Sequence, residues 1–305
     1  MMPVAMAIEG VLIGHHTNEL ARTGCTVVMF PDGAVASGEV RGGAPATREF
    51  ALLDPTKTVA HIDAVVLSGG SAFGLAACDG VMRWCGEHER GFVTAAGRVP
   101  IVVGLSLFDL MQGDASVRPT ADDGYQVARA ATTFASTGAV GAATGATLGK
   151  WRGAGHVRAG GLGIATVRRG ELVVTAIIAV NAVGDLDDGS AAAAIVDGTF
   201  VWPEPPAQFG DAPGGDVPGA DGTNTTIGVI VTNAVIDKVG CHLLAQSGHD
   251  GLARALFPAH TRSDGDALVA VAVPSTPPRE PLALELDVVR ILATVAVEQA
   301  VRSVV

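Results

Sequence analysis

Residues 222–233 read Gly-Thr-Asn-Thr-Thr-Ile-Gly-Val-Ile-Val-Thr-Asn. A polar corner ending in Asn224-Thr225-Thr226 runs directly into an apolar stretch. An unalternating apolar run of this length predicts a strand covered on both faces, here over about 226–232. The preceding stretch, 202–224, places Pro203, Pro205, Pro206, Pro213 and Pro218 among glycines and aspartates. That composition predicts a flexible linker rather than a packed element. A plain loop-to-strand junction accounts for the local residues. So does a bond positioned for cutting, with a hydroxyl-bearing residue on its C-terminal side.

Working outward, Leu172 to Val180 is almost wholly apolar, and with 162–168 it predicts a hairpin around Arg168-Arg169-Gly170. This strand runs into Asn181, a turn former or an amide aimed into a site. After the junction, a helix is expected over about 234–247, with His242 and His249 near its end. The polar turn Pro258 to Asp266 leads to a strand at 267–273, and a helix at 283–303 closes the chain.

Upstream, 24–30 and 34–40 read as two strands of a hairpin around Pro31-Asp32-Gly33. The loop from Arg41 to Glu49 reads as a surface loop with an Arg–Glu pair or as a pocket wall. A strand at 63–67 leads through Ser68-Gly69-Gly70-Ser71 into a helix at about 72–87. That turn can present N–H groups to an anion or oxyanion, or Ser71 can serve as a helix N-cap. It is not a nucleophile elbow, because Phe73 stands where glycine is required. A strand at 99–105 ends near Phe108-Asp109, and a helix starts at Thr120 and runs to about 135, with Asp122 and Asp123 in its first turn. In the glycine-rich tract 138–163, Gly149-Lys150 suggests a phosphate loop, but Thr144 and Trp151 break that motif. The element order predicts an α+β fold of two sheets, each flanked by helices, in one domain over 1–305.

Bulk properties narrow the function. At 305 residues, 48% hydrophobic and 17% charged, the chain can bury a large core. Its net charge of −11, without a basic block, argues against nucleic acid and anionic membrane partners. No apolar run is long enough to predict a membrane span. Cys25, Cys78, Cys85 and Cys241 show no C-x-x-C spacing and read as buried small hydrophobes in a reducing compartment. The expected location is cytoplasmic, with neither metal nor cofactor.

Threonine at the start of a buried strand has a definite chemistry. If Thr225 Oγ attacks the Asn224 carbonyl, an N→O acyl shift leaves an ester that water cleaves. The freed α-amine, with a reference pKa of about 7.7–8.0, can then take the proton of its own Oγ. Such a site needs carboxylates to hold the amine and a donor for the oxyanion. Asp264 and Asp266 lie on a tight turn, and Asn181 closes a strand.

Several blocks, in order along nearly the whole chain, carry a family resemblance: Glu9-Gly10-Val11 with Gly14-His15, Thr23 to Val27, Arg41-Gly42-Gly43-Ala44-Pro45 with Thr47-Arg48-Glu49, and Ser68 to Leu75. Val99 to Val102, Val180 to Gly184, Asn224-Thr225-Thr226, and His260-Thr261 with Asp264-Gly265-Asp266 complete the set. The chain resembles the DmpA-type aminopeptidases, the P1 family or peptidase family S58. The resemblance implies an αββα sandwich like that of the N-terminal-nucleophile hydrolases, with different strand connectivity. It implies self-cleavage between Asn224 and Thr225 into chains 1–224 and 225–305, with Thr225 as nucleophile. Asn181 matches the family's oxyanion asparagine. Asp264 and Asp266 match the residues that hold the nucleophile's amine. Serine-type members carry Ser in place of Thr225, which points to the threonine subgroup. They also carry a tyrosine where Phe108 stands, and Phe108 has no hydroxyl to donate.

The implied function is a self-processing aminopeptidase or amidase that releases N-terminal residues from short peptides, amides or esters through an acyl-Thr225 intermediate. In that reading a site acid such as Asp266 pairs with the substrate's free amine, Ser68, Gly69, Gly70, Ser71 and Phe108 line the pocket, and the processed units form a homotetramer. An amidase for one metabolite, such as a pantetheine-like amide, and a non-catalytic small-molecule-binding member of the fold are the alternatives.

Overall fold

The computed structural model describes residues 4–202, 224–273 and 285–304. The strands that position the site are β1 (Leu12–Asn18), β2 (Thr23–Val40), β3 (Ala46–Arg48) and β4 (His61–Ser68), then helix α1 (Ala77–Glu87), β5 (Val102–Ser106) and helix α2 (Ala121–Ala130). They are followed by β6 (Gly161–Arg169), β7 (Leu172–Asn181), β8 (Thr225–Thr232), α3 (Lys238–Ala255), β9 (Ala267–Ala272) and α4 (Glu285–Arg302).

Hydrogen bonding links the strands in the order β6-β7-β8-β9-β2-β4-β5-β3, with β1 also on β2. Strand β2 belongs to both layers. Its first half pairs with β1 and β4, and Val35 to Val40 pair with β9. The expected hairpin at Pro31-Asp32-Gly33 is therefore not formed. These residues are an irregularity inside one strand, where the register against β4 slips between Met29 and Ala34 and Gly33 adopts φ 72°. Both halves carry apolar residues that need cover, and each finds it by pairing with other strands rather than with the other half.

The side-chain alternation of strands sorts residues into three cores. Val28, Phe30, Val65, Leu67, Val103 and Leu105 meet Ile177, Ile227, Val229, Val269 and Val271 between the layers. Val27, Met29, Val66 and Val102 point the other way, onto Cys78, Val81 and Cys85 of α1 and Val127 of α2. Ile178, Val180, Ile230 and Leu268 pack on Leu244 and Leu252 of α3 and Val289, Ala293 and Val297 of α4. The result is the expected αββα sandwich. Strand β7 is buried at every position, as its continuous apolar run predicts. All four cysteines are free and buried.

Local signals place several ends. Thr120 caps α2 in a capping box with Asp123. The helix stops at Ala130 rather than near 135, because Thr132 exchanges backbone hydrogen bonds with Ile13 of β1. Helix α3 begins at Lys238 rather than 234, because the Asp237 side chain accepts the Gly240 N–H at 2.8 Å. It continues to Ala255, which leaves His242 and His249 inside it. The proline-rich stretch read as a linker lies, at 203–223, outside the described residues. Among the described residues, no helix is long and apolar enough to cross a membrane.

Candidate active site

Thr225 opens β8 and is paired in register with Asn181, the last residue of β7. Both are buried, as are Asn224, Asp264 and Asp266. On the other flank, β8 runs parallel to β9, and an isolated parallel bridge joins Asn224 to Asp264. The fold therefore brings the five candidate residues to one end of the β7-β8-β9 ladder.

The Asn224 carbonyl oxygen accepts two hydrogen bonds. One comes from the Gly265 N–H at 2.9 Å and the other from the Thr225 hydroxyl. Gly265 must be small here, since a Cβ would fall 2.7 Å from Thr225 Oγ1 and 2.7 Å from the Ala44 carbonyl oxygen. Thr226 is a second hydroxyl beside the Asn224–Thr225 bond. Its N–H donates to Asp266 Oδ1 at 2.7 Å, and side chains at consecutive strand positions leave opposite faces, so its hydroxyl is directed away from that of Thr225. Thr223, a third hydroxyl near that bond, lies outside the described residues.

Asn181 is fixed through both ends of its amide. Oδ1 accepts the Thr147 N–H at 3.0 Å and Lys150 Nζ at 2.9 Å, and Nδ2 donates to the Phe108 carbonyl at 2.9 Å. Two donors at one end and an acceptor at the other settle which way the amide points. Lys150 is buried and also donates to the carbonyls of Thr147 and Asn181. Burial pulls its amine down to about 7, while the charge of Asp264 acts the other way. Sequence reading met Lys150 only as part of a broken phosphate loop. Its contact with Asn181 spans a sequence gap that no local pattern marks.

The acids are held tightly. Asp264 Oδ1 accepts the Val183 N–H at 3.2 Å, and Oδ2 accepts the Thr261 N–H at 3.0 Å and the Thr261 hydroxyl at 2.7 Å. Burial, then the neighbouring Asp266, push Asp264 up to about 7. Asp266 Oδ2 accepts the backbone N–H of His260 at 3.1 Å and faces its ring Nδ1 at 2.8 Å.

The Arg41–Glu49 loop lies at the surface, with Gly43 to Pro45 exposed, and its start is tied by backbone hydrogen bonds to the turn that carries the two acids. Arg41 N–H and Gly42 N–H donate to the Asp266 carbonyl, and Ala44 N–H donates to that of Asp264. A Cβ on Gly42 would fall 2.3 Å from Asp266 N, which explains the glycine. The expected ion pair exists with other partners: Arg41 binds Glu39 at 2.8 Å and Asp250 at 3.1 Å, and Arg48 binds Asp79.

The Ser68–Ser71 turn is not an open anion cradle. The N–H groups of Gly69, Gly70 and Ser71 donate to Gly24 O, Asp109 Oδ1 and Leu107 O, at 2.8, 2.7 and 2.9 Å. Ser68 Oγ donates to Ser106 Oγ at 3.0 Å. Ser71 makes no N-cap; it sits at φ 53°, inside a 3-10 turn that precedes α1. The turn reaches the site indirectly, through Leu107, which bonds Ser68, to the Phe108 carbonyl beneath Asn181. Phe108 thus contributes its carbonyl as an acceptor, and its side chain has no hydroxyl to donate.

Residues 6–305 match the family described as Peptidase family S58. An uncharacterized aminopeptidase of Mycobacterium leprae is 43% identical over 262 residues, 82% of this chain and 70% of that protein. The 6-aminohexanoate-oligomer endohydrolase of Paenarthrobacter ureafaciens is 31% identical over 289 residues, 88% of this chain and 76% of that protein. Two solved structures share the fold. The Burkholderia sp. beta-aminopeptidase has TM-score 0.69 and 21% identity, covering 98% of this chain and 85% of its own. The L-aminopeptidase D-Ala-esterase/amidase of Ochrobactrum anthropi, a variant of the Ntn hydrolase fold, has TM-score 0.70 and 17% identity, with the same coverage.

Proposed function

The chain belongs to peptidase family S58, and from that premise we propose that it cuts itself between Asn224 and Thr225 and then uses Thr225 to hydrolyse small amides. It is a hydrolase of the peptidase and amidase kind. The observation that carries the finer reading is the carbonyl of Asn224. It accepts the Gly265 N–H and lies against the Thr225 hydroxyl, the group that would attack it.

The steps follow from that contact. Thr225 Oγ adds to the Asn224 carbonyl carbon, and the negative charge that develops on oxygen is met by the Gly265 N–H. The C–N bond breaks, its nitrogen takes a proton, and an ester remains between Asn224 and Thr225 Oγ. Water hydrolyses the ester, releasing the Asn224 carboxylate and a free Thr225 amine. That amine then serves as base for its own hydroxyl in each turnover.

A substrate acyl group must occupy the place that Asn224 holds in the uncut chain. Asn181 then supplies the Nδ2–H for the oxyanion. Lys150 and the Thr147 N–H hold Oδ1 from behind, which sets the amide's direction and strengthens Nδ2 as a donor. Asp266, which accepts the N–H of Thr226 one residue from the cut, is the acid placed to hold the new N-terminus.

Release of an N-terminal residue requires a group that recognises a free amine. Asp266 is assigned to the enzyme's own new N-terminus, and Asp264 accepts protein hydrogen bonds at both oxygens. That favours, as a second reading, hydrolysis of internal amides, the activity named for the Paenarthrobacter relative. Amino-acid p-nitroanilides against capped amides and 6-aminohexanoate oligomers separate the two.

The test of the main reading is intact mass. The purified chain is expected as two polypeptides, the smaller beginning at Thr225. Thr225→Ala is expected as one inactive chain with an unchanged fold. A wild-type chain that stays whole, or cleavage at 224 in the Thr225→Ala protein, refutes the reading.

A further inference from the structure

His260 lies between α3 and β9 at φ 56°, a left-handed conformation uncommon for a residue with a Cβ. What it gains there is a pair of contacts with Asp266 Oδ2, through its N–H at 3.1 Å and its ring Nδ1 at 2.8 Å. Its other ring nitrogen, Nε2, lies 3.3 Å from the carbonyl oxygen of His249. A carbonyl oxygen only accepts, so Nε2 carries a proton. Asp266 acts as an acceptor at its other contacts, from the His260 N–H and the Thr226 N–H, so Nδ1 also carries one. A ring that donates from both nitrogens is an imidazolium.

His249, edge-on to His260 at 4.9 Å between ring centroids, is the opposite case. Its Nε2 faces the Glu39 carbonyl at 2.9 Å, and its Nδ1 is buried without a partner, which describes a neutral ring. Burial pulls it down to about 4. For His260, burial also pulls downward, but the hydrogen bond and charge of Asp266 outweigh it and the net shift is upward. The other charges around the pair are accounted for. From β2 and α3, Glu39 and Asp250 bind Arg41. From the same loop, Asp264 is pushed up to about 7, by burial first and then by the charge of Asp266.

We propose that His260 is a positioning residue whose imidazolium neutralises Asp266, so that the Thr225 amine freed by self-cleavage remains a base. The proposal rests on the self-processing reading above. Asp266 Oδ1 already binds the N–H of Thr226, one residue from the amine that cutting would create. A bare carboxylate at that distance favours the ammonium form, and an ammonium cannot take the proton of Oγ. A paired imidazolium cancels that pull while leaving the carboxylate's hydrogen bonds intact. His260 thus acts through Asp266 and does not touch substrate.

Two measurements test this. The first is the pH profile of kcat/KM for the cleaved His260→Asn enzyme on an amide that the wild type turns over. Asparagine tolerates the left-handed backbone and keeps an N–H donor, but it carries no charge. The acid limb is expected to move up by about one pH unit, with activity recovering at high pH. A merely structural role would lower activity without moving the limb. A superimposing profile overturns the proposal. The second is the nitrogen NMR spectrum of histidine-labelled wild type at pH 7, which is expected to show both His260 nitrogens protonated. A neutral ring overturns the proposal, and this measurement decides alone if the variant does not fold. If the wild type proves uncut and inactive, the self-processing reading fails, which the NMR spectrum distinguishes from a failure of the imidazolium assignment.

Discussion

Gly265→Ala tests the geometry of the proposed cleavage site with the smallest perturbation available. The added Cβ would lie 2.7 Å from Thr225 Oγ1, 2.7 Å from the Ala44 carbonyl oxygen and 3.1 Å from Thr225 Cγ2. Ordinary contact begins near 3.4 Å, so each of these two 2.7 Å contacts is short by about 0.7 Å, and Thr225 or the loop at Ala44 must give way. Ala44 resists, because its N–H is tied to the Asp264 carbonyl at 2.8 Å. Most of the movement therefore falls on Thr225 and on the Gly265 N–H that meets the Asn224 carbonyl. Misplacement on the order of 1 Å costs about 10²-fold in a positioned reaction, and loss of an oxyanion donor costs about 10²–10³-fold. Self-cleavage is expected to slow by about 10²-fold or more, while stability falls by about 1–3 kcal/mol, the usual range for overpacking. The assay follows intact mass over time, beside a thermal melt. Gly86→Ala is the control: it lies on α1 with nothing within 4 Å of its Cβ. It should cleave normally and gain up to about 1 kcal/mol from helix propensity. A folded Gly265→Ala protein that cuts at the wild-type rate refutes the assignment of this carbonyl as the one attacked.

Two further outcomes follow from burial. Lys150→Met removes the amine that donates to Asn181 Oδ1 and is expected to lower kcat by about 10²-fold. It should also change the pH dependence of stability. Burial holds Lys150 at about 7, so between pH 7 and the ordinary lysine value of about 10.4 the unfolded chain carries a proton that the folded chain lacks. Stability therefore rises with pH across that window in the wild type. Urea midpoints should rise less steeply there in the variant, and parallel curves would show that Lys150 is not so perturbed. Burial likewise pushes Cys78, Cys85 and Cys241 up to about 12 and Cys25 higher still. A thiol reagent at pH 8 should label none of them in the native protein and all four after unfolding. Fast labelling of the native state would contradict the packing described.

The amino-acid sequence by itself determined the local elements and the type of chemistry. The apolar runs of β7 and β8 announced buried strands, because successive strand residues point to opposite faces and an unalternating apolar run leaves neither face for solvent. Thr120 announced a helix start through a capping pattern closed within three residues. Family blocks marked Asn181, Thr225, Asp264 and Asp266, and the fold gathers them at one end of three adjacent strands. Tertiary structure alone decided the rest, because the deciding contacts join residues far apart in the chain. Strand β2 became one strand across both layers because β4 and β9 were there to cover its halves. The Ser68–Ser71 turn became a packed corner because Gly24, Leu107 and Asp109 took its N–H groups. Lys150 reached Asn181, and the two ring nitrogens of His260 found two acceptors, one of them on α3. A local pattern records which face a residue shows. It does not record which partner the fold will bring to that face, and for a buried ionisable group the partner sets the charge.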